Sequence, residues 1–225
     1  MRPLEPILMA VSTGAAARTP DRVSVQRALA REALRECAQR CGAPADGWEK
    51  DENDVPQPRA GYHWSISHKR RWVAAVVAER PVGIDIEQIV PRNEAMFEAL
   101  AGEDEWTTLG ERSWHAFFRL WTAKEATLKA NGKGIEDFSK CRLVEVPDQE
   151  TVRLIHNHRE WMVQHFFHDE HVAAVTCVSS DVRWRVLDGR ATLRARRLAL
   201  RGSGSLIGRL HGHVADVRSE GRSRT

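Results

Sequence analysis

The stretch Phe117-Phe118-Arg119-Leu120-Trp121-Thr122-Ala123-Lys124-Glu125-Ala126-Thr127-Leu128-Lys129-Ala130-Asn131-Gly132 reads as a helix. Leu120, Trp121, Leu128 and the alanines recur at a spacing of roughly 3.6 residues. Asn131-Gly132 supplies the C-terminal stop. Glu125 and Lys129 fall one turn apart on a shared face, beside the line of Trp121 and Leu128. Taken alone, this is an amphipathic core helix whose Glu–Lys pair contributes about 0.3 kcal/mol. A second acidic stretch upstream, which needs something to neutralise it, gives the pair another meaning.

The chain has 225 residues and a net charge of +3, enough for one large domain or two small ones. Charges of both signs are interspersed, so most of the chain does not have a nucleic-acid binder's composition. Arginine is concentrated late: from Leu187 onward nine arginines face three acids. Cys37, Cys41, Cys141 and Cys177 form no CxxC and no Cys/His zinc spacing, which fits a reducing cytoplasm. No apolar run approaches the ~20 residues of a membrane span. Pro6-Ile7-Leu8-Met9-Ala10-Val11 is a poor signal peptide and reads better as a first strand.

Thr19-Pro20-Asp21 starts a helix that runs to Cys41-Gly42, with Arg22, Arg27, Arg31 and Arg35 on its polar face. Such arginines are either simply solvated or able to receive phosphates. Residues 43–60 read as a surface loop. Tyr62–Ile66 alternates as a strand, and Ser67-His68-Lys69-Arg70-Arg71 reads as a polar turn. Trp72–Ala78 has the apolar character of a buried strand, and Val82–Glu87 is a third strand. Residues 91–112 hold helical pieces, and strands are expected over 142–146, 151–155, 161–166 and 171–176. Trp64-Ser-Ile-Ser-His68 before Trp72-Val-Ala-Ala-Val76 echoes Trp161-Met-Val-Gln-His165 before His171-Val-Ala-Ala-Val175. The offsets are 97 and 99 residues, and a duplication would give two similar α+β halves. Residues 188–225 read as an arginine-rich tail, with at most a helix or strand near 190–200 and disorder beyond it.

In Gly83-Ile84-Asp85-Ile86-Glu87 the side-chain period of two sends Asp85 and Glu87 to one face. Such carboxylates lie ~7 Å apart along the strand and repel. They are either a solvated acidic face or ligands of a divalent cation such as Mg²⁺, which takes oxygen donors and substrate phosphates. Glu125 is the natural third ligand, and Lys129 could meet negative charge on the bound molecule. Ser67, His68, Lys69, Arg70 and Arg71 add a hydroxyl, an imidazole and cations suited to phosphates. Together they describe a Mg²⁺–polyphosphate site.

Trp64-Ser65-Ile66-Ser67-His68, Gly83-Ile84-Asp85-Ile86-Glu87 and Trp121-Thr122-Ala123-Lys124-Glu125-Ala126-Thr127-Leu128-Lys129 resemble the three ordered motifs of the 4′-phosphopantetheinyl transferases. The likeness is to the monomeric, two-halved (Sfp-like) type; it is strong over 60–135, fainter over 20–60 and 140–180, and absent after about 187. It implies an α+β fold of two pseudo-symmetric halves, each a small antiparallel sheet packed with a helix, meeting at a cleft. The halves are expected over 1–90 and 91–187. It implies transfer of the phosphopantetheine arm of coenzyme A to a serine of an apo acyl or peptidyl carrier protein, with release of adenosine 3′,5′-bisphosphate. By the resemblance Asp85, Glu87 and Glu125 match the Mg²⁺ ligands, with Glu125 or a metal-bound water deprotonating the serine. Lys129 would assist the leaving phosphate, Ser67 and His68 would hold phosphates of coenzyme A, and Arg27 would lie near its 3′-phosphate. Two departures stand out. Asp54-Val55-Pro56 replaces the usual Gly-Lys-Pro, so that a coenzyme A contact is either missing or supplied by Lys50, Arg59 or Arg71, and Lys69 replaces a Ser.

The resulting expectation is a cytoplasmic, monomeric, Mg²⁺-dependent enzyme with no membrane or nucleic-acid partner. Its rivals are a carrier-binding module with the same fold but no turnover, and an arginine-tailed nucleic-acid binder. The segment from Pro91 to Ser113 is the expected docking platform, offering Met96, Phe97, Leu100, Trp106 and Leu109 to the carrier.

Overall fold

The computed structural model describes residues 2–11, 19–179 and 181–189. Strand β1 (Ile7–Ala10) leads to helix α1 (Thr19–Cys41), then to β2 (His63–Lys69) and β3 (Trp72–Ala78). Strand β4 (Ile84–Gln88) precedes two short helices, α2 (Ala95–Leu100) and α3 (Glu103–Leu109), and the long α4 (Trp114–Ala130). A 3-10 turn (Ile135–Lys140) follows, then β5 (Arg142–Glu145), β6 (Thr151–His156), β7 (Arg159–His168), β8 (His171–Cys177) and β9 (Arg185–Asp188).

The strands form two sheets, ordered β2-β3-β1-β9 and β4-β8-β7-β6-β5, the α+β architecture expected from sequence. Three apolar layers result. Ile7, Met9, Val73, Ala75 and Val77 pack against Leu29, Ala33, Leu34 and Cys37 of α1. Leu8, Ala74 and Val76 meet Ile84, Ile86, Ala173 and Val175 between the sheets. Val172, Ala174, Val163 and Leu154 pack against Phe117, Leu120, Ala123 and Leu128 of α4. Each sheet therefore carries its helix on the outer face, and alternation along each strand divides its side chains between two layers.

Several expectations change. Strand β2 runs through Ser67, His68 and Lys69, leaving only Arg70 and Arg71 to turn, because β3 pairs with it residue for residue from His63↔Ala78 to Lys69↔Trp72. Backbone pairing with a buried apolar strand outweighs the weak strand preference of polar residues. Strand β4, grouped with the first half on sequence, pairs with β8 in the second sheet, where α4 covers its acidic face. The short β9, not expected, lies parallel to β1. The expected platform turns inward: Phe97, Leu100, Trp106 and Leu109 are buried in the α4 core and Met96 is half-buried against it. Helices this short are stable only when their apolar side is covered, so α2 and α3 leave Glu94, Glu98, Glu103, Asp104 and Glu111 on the outside. The tail expected over 188–225, and any element near 190–200, lie outside the described residues beyond Gly189.

Candidate active site at the seam of two edge strands

Strand β2 ends the first sheet and β4 ends the second, and the two edges meet. At this seam Ser65 Oγ accepts from the backbone N–H of Ile84 at 3.1 Å, replacing a missing strand partner. Ile84 and Ile86 point into the core between the sheets, which turns Asp85 and Glu87 toward α4. Helix α4 comes unusually close. A Cβ at Gly83 would sit 1.9 Å from Ala126 O and 2.7 Å from Ala130 N, so only glycine allows this approach. The hydroxyl of Ser113 caps the helix, accepting from Ala116 N at 3.1 Å.

Asp85 is the centre of the cluster and is 5% exposed. Its Oδ1 accepts from Ser67 Oγ at 2.8 Å and from Lys129 Nζ at 2.6 Å. Lys129 Nζ also reaches Ile84 O at 3.3 Å. The second oxygen, Oδ2, is buried with no hydrogen-bond partner. Glu87 Oε2 faces Lys69 Nζ at 2.5 Å and Arg92 at 3.3 Å. Glu125, beside them, has its pKa raised, first by burial and then by the Asp85 charge; Lys129 acts in the opposite direction and Glu87 adds to the rise.

Of the residues singled out from sequence, Ser67, Asp85, Glu87, Glu125 and Lys129 thus come together. Ser67 and His68 separate, because neighbouring residues of a strand point to opposite faces. Ser67 turns with Ser65 toward β4, whereas His68 is exposed on the face that carries Trp64 and Ile66 toward α1. Arg27 is exposed on α1, next to Gln26, whose Nε2 donates to Arg70 O at 3.2 Å in the β2–β3 turn. Lys69 does not add free charge at a phosphate end; it neutralises Glu87. Of the replacements considered for the missing contact, Lys50 pairs with Asp54 and Arg59 donates to Gly47 O. Arg71 is exposed. Sequence reading missed Arg92, which lies in a loop with no periodicity to place it, yet reaches Glu87 and covers Phe118 at 4.9 Å. His165, aligned with His68 by the internal echo, is a structural residue. Its ring nitrogens lie 2.9 and 3.0 Å from the carbonyls of Arg119 and Glu150, and burial, reinforced by the Arg119 charge, pushes its pKa down to about 4.

Among the described residues, no group of three His, Cys, Asp or Glu side chains is arranged to hold a metal ion. The donor set nevertheless fits a hard cation in kind: all three acids offer oxygen, and Asp85 Oδ2 is an orphaned buried acceptor. Lys129 pairs with Asp85, and Lys69 and Arg92 pair with Glu87, balancing charge that such a cation would also balance.

Two edge strands and a helix thus join carboxylates to lysines at a single sheet seam. Residues 81–182 match the model of the 4′-phosphopantetheinyl transferase superfamily. The chain is 34% identical over 154 residues to the 4′-phosphopantetheinyl transferase psf-1 of Bacillus pumilus, covering 58% of this chain and 66% of that protein. It is 36% identical over 92 residues to the transferase gsp of Aneurinibacillus migulanus, covering 39% of each. To the transferase Sfp of Bacillus subtilis it is 32% identical over 77 residues, covering 32% of this chain and 34% of Sfp. Over residues 81–182 the chain is thus similar to the 4′-phosphopantetheinyl transferase superfamily, and the relatives it resembles include Sfp, the type expected from sequence. The matches span from about a third to just under two thirds of these relatives' lengths. No described helix is long and apolar enough to cross a membrane.

Proposed function

We propose that the chain transfers the 4′-phosphopantetheine arm of coenzyme A to a serine hydroxyl of an apo acyl or peptidyl carrier protein, releasing adenosine 3′,5′-bisphosphate. The observation that carries this reading is the β4–α4 seam, where Asp85 keeps one buried oxygen unpartnered beside the raised carboxyl of Glu125 and the ammonium of Lys129. The similarity to 4′-phosphopantetheinyl transferases supports the class of activity.

Asp85 and Glu125 would hold Mg²⁺, with Glu87 joining them directly or through water. Bound there, the ion would screen the diphosphate and polarise the phosphoryl group. The remaining roles belong to the chain itself. Glu125 takes the proton of the carrier serine, a task suited to a carboxylate whose pKa has moved toward neutrality. Lys129, held at the Asp85 edge, meets the charge that grows on the departing phosphate. Ser67 holds the orientation of Asp85 through Oδ1. His68 and Arg27, on the α1 side of the first sheet, receive phosphates farther along coenzyme A.

The protein acts as a monomer in the cytoplasm, a location supported by four free cysteines. Burial raises the pKa of Cys37, Cys141 and Cys177, so they remain inert thiols. Incubation with coenzyme A, Mg²⁺ and a panel of apo carrier proteins tests the reading by mass spectrometry of the carriers. A mass gain of one phosphopantetheine supports it. Binding of a carrier without any gain would leave the inactive carrier-binding module, and unmodified, unbound carriers throughout would overturn both.

A further inference from the structure

The first lysine of the motif ending at Lys129 has no part in the site described so far. Lys124 is 1% exposed, yet it carries an ammonium group. Its Nζ donates to Leu100 O at 2.9 Å, lies 3.0 Å from Glu105 Oε1 and sits 5.7 Å over the ring of Phe138. Glu105 is itself buried. Its Oε1 also accepts from Leu143 N at 2.8 Å, and its Oε2 from Gly102 N at 3.4 Å. One ion pair therefore joins the end of α2, the start of α3, the body of α4, the 3-10 turn and strand β5.

Helical geometry gives this tie a direction. At about 100° per residue, Glu125 lies about 100° around the axis from Lys124, and Lys129 about 140°. Helix α4 is thus held by Lys129 on β4 at one flank and by Lys124 on Glu105 at the other, with Glu125 on the arc between them. Turning the helix about its axis stretches one tie or the other. A buried ion pair commonly contributes no more stability than apolar side chains of similar volume, so its distinctive contribution is directional.

We propose that Lys124 is a positioning residue that, through Glu105, fixes the rotation of α4 and hence the place of Glu125 against Asp85. The kinetic consequence rests on the transferase reading; the mechanical one does not.

Lys124→Met alone would leave Glu105 charged and buried, which can prevent folding. The decisive variant is therefore Lys124→Met with Glu105→Gln, where glutamine keeps an acceptor for Leu143 N. Lys124→Arg, which keeps a cation opposite Glu105, is the conservative control. Hydrogen exchange over residues 121–130, thermal melts and steady-state kinetics with coenzyme A and an apo carrier are the measurements. The double variant should fold, with α4 amides exchanging about tenfold faster. Its kcat should fall about tenfold, with the KM for coenzyme A within about twofold of wild type, and Lys124→Arg should recover most of the lost kcat. Wild-type exchange of α4 in the double variant would overturn the proposal. So would an unchanged kcat, or a raised KM for coenzyme A at unchanged kcat, which would make Lys124 a binding residue. Should the double variant fail to fold, Glu105→Gln alone is read by the same exchange and kinetic criteria. A wild-type protein that transfers nothing would remove the transferase reading, and the exchange result would then decide the positioning proposal by itself.

Discussion

Strands β1 and β4 occupy the same place in two copies of one arrangement, and their side chains differ where it matters. In the first sheet the order β2-β3-β1 lies beneath α1; in the second, β7-β8-β4 lies beneath α4. Both hairpins turn through two residues with the pair after them in step, Lys69↔Trp72 and His168↔His171. By pairing register, Ile7 stands opposite Ala75 as Asp85 stands opposite Ala174, and Met9 opposite Val73 as Glu87 stands opposite Val172. Leu8 and Ile86, the residues between, both enter the core shared by the sheets. Only the helix-facing positions differ. The first copy closes that face with Ile7 and Met9, both 0% exposed, against α1. The second copy puts Asp85 and Glu87 against α4. One scaffold thus presents apolar side chains to its helix in one copy and carboxylates in the other.

Substitution at the equivalent positions is the strongest test of that contrast. Asp85→Ala and Glu125→Ala should each lower transfer by at least about a hundredfold while the proteins melt close to wild type. Ile7→Ala should do the reverse, costing about 2–4 kcal/mol of stability and leaving the folded fraction active. Denaturant titration beside carrier-mass kinetics reads both, and similar stability losses at Ile7 and Asp85 would break the comparison. Next in size is Gly83→Ala. The added methyl meets backbone atoms of Ala126 and Ala130, so α4 must move away from β4. A loss of about 1–3 kcal/mol, with a fall in kcat, is expected.

Glu125 sharpens the contrast through pH. Its folded pKa is raised, so between the unfolded and folded values the native state holds more protons, and stability falls as pH rises through that window. Glu125→Gln should therefore raise the melting temperature of chelator-treated protein at neutral pH. The gain should vanish as pH falls below the unfolded carboxyl value of about 4.3. A variant that melts below wild type at neutral pH would contradict a burial cost at this position.

Reversing Arg70 and Arg71 to Glu should raise the KM for an acidic carrier several-fold at low salt, and by less at about 0.5 M salt. With the apolar side of α2 and α3 buried, Arg70 and Arg71 remain as exposed basic residues of the β2–β3 turn. An increase confined to the KM for coenzyme A would assign them to that substrate instead. The smallest effect is expected from ending the chain after Asp188, which retains all nine strands described, β9 included. Activity and melting temperature should be nearly unchanged, and loss of folded protein would assign the later residues a structural role.

Much of this was legible in the residues themselves. The 3.6-residue recurrence of Leu120, Trp121 and Leu128 specifies α4, and Asp85-Ile86-Glu87 specifies a strand with one acidic face, because periodicity is local and needs no partner. The repeated Val-Ala-Ala-Val marks two corresponding strands, β3 and β8, and with Glu125 and Lys129 one turn apart the chemistry of the site was within reach. Local pattern could not choose partners. That β4 joins β8, that β9 returns to β1, that α2 and α3 bury Phe97 and Trp106, and that Arg92 reaches Glu87 all depend on groups distant in the chain. Ser67 and His68 show the boundary: alternation separates them once they are strand residues, but only pairing with β3 makes them so. Lys124 shows it again, since a lysine beside a glutamate reads as surface charge until Leu100 O, Glu105 and Phe138 close around it. Local sequence sets which backbone conformations are favourable; burial and nonlocal pairing decide which side chains meet.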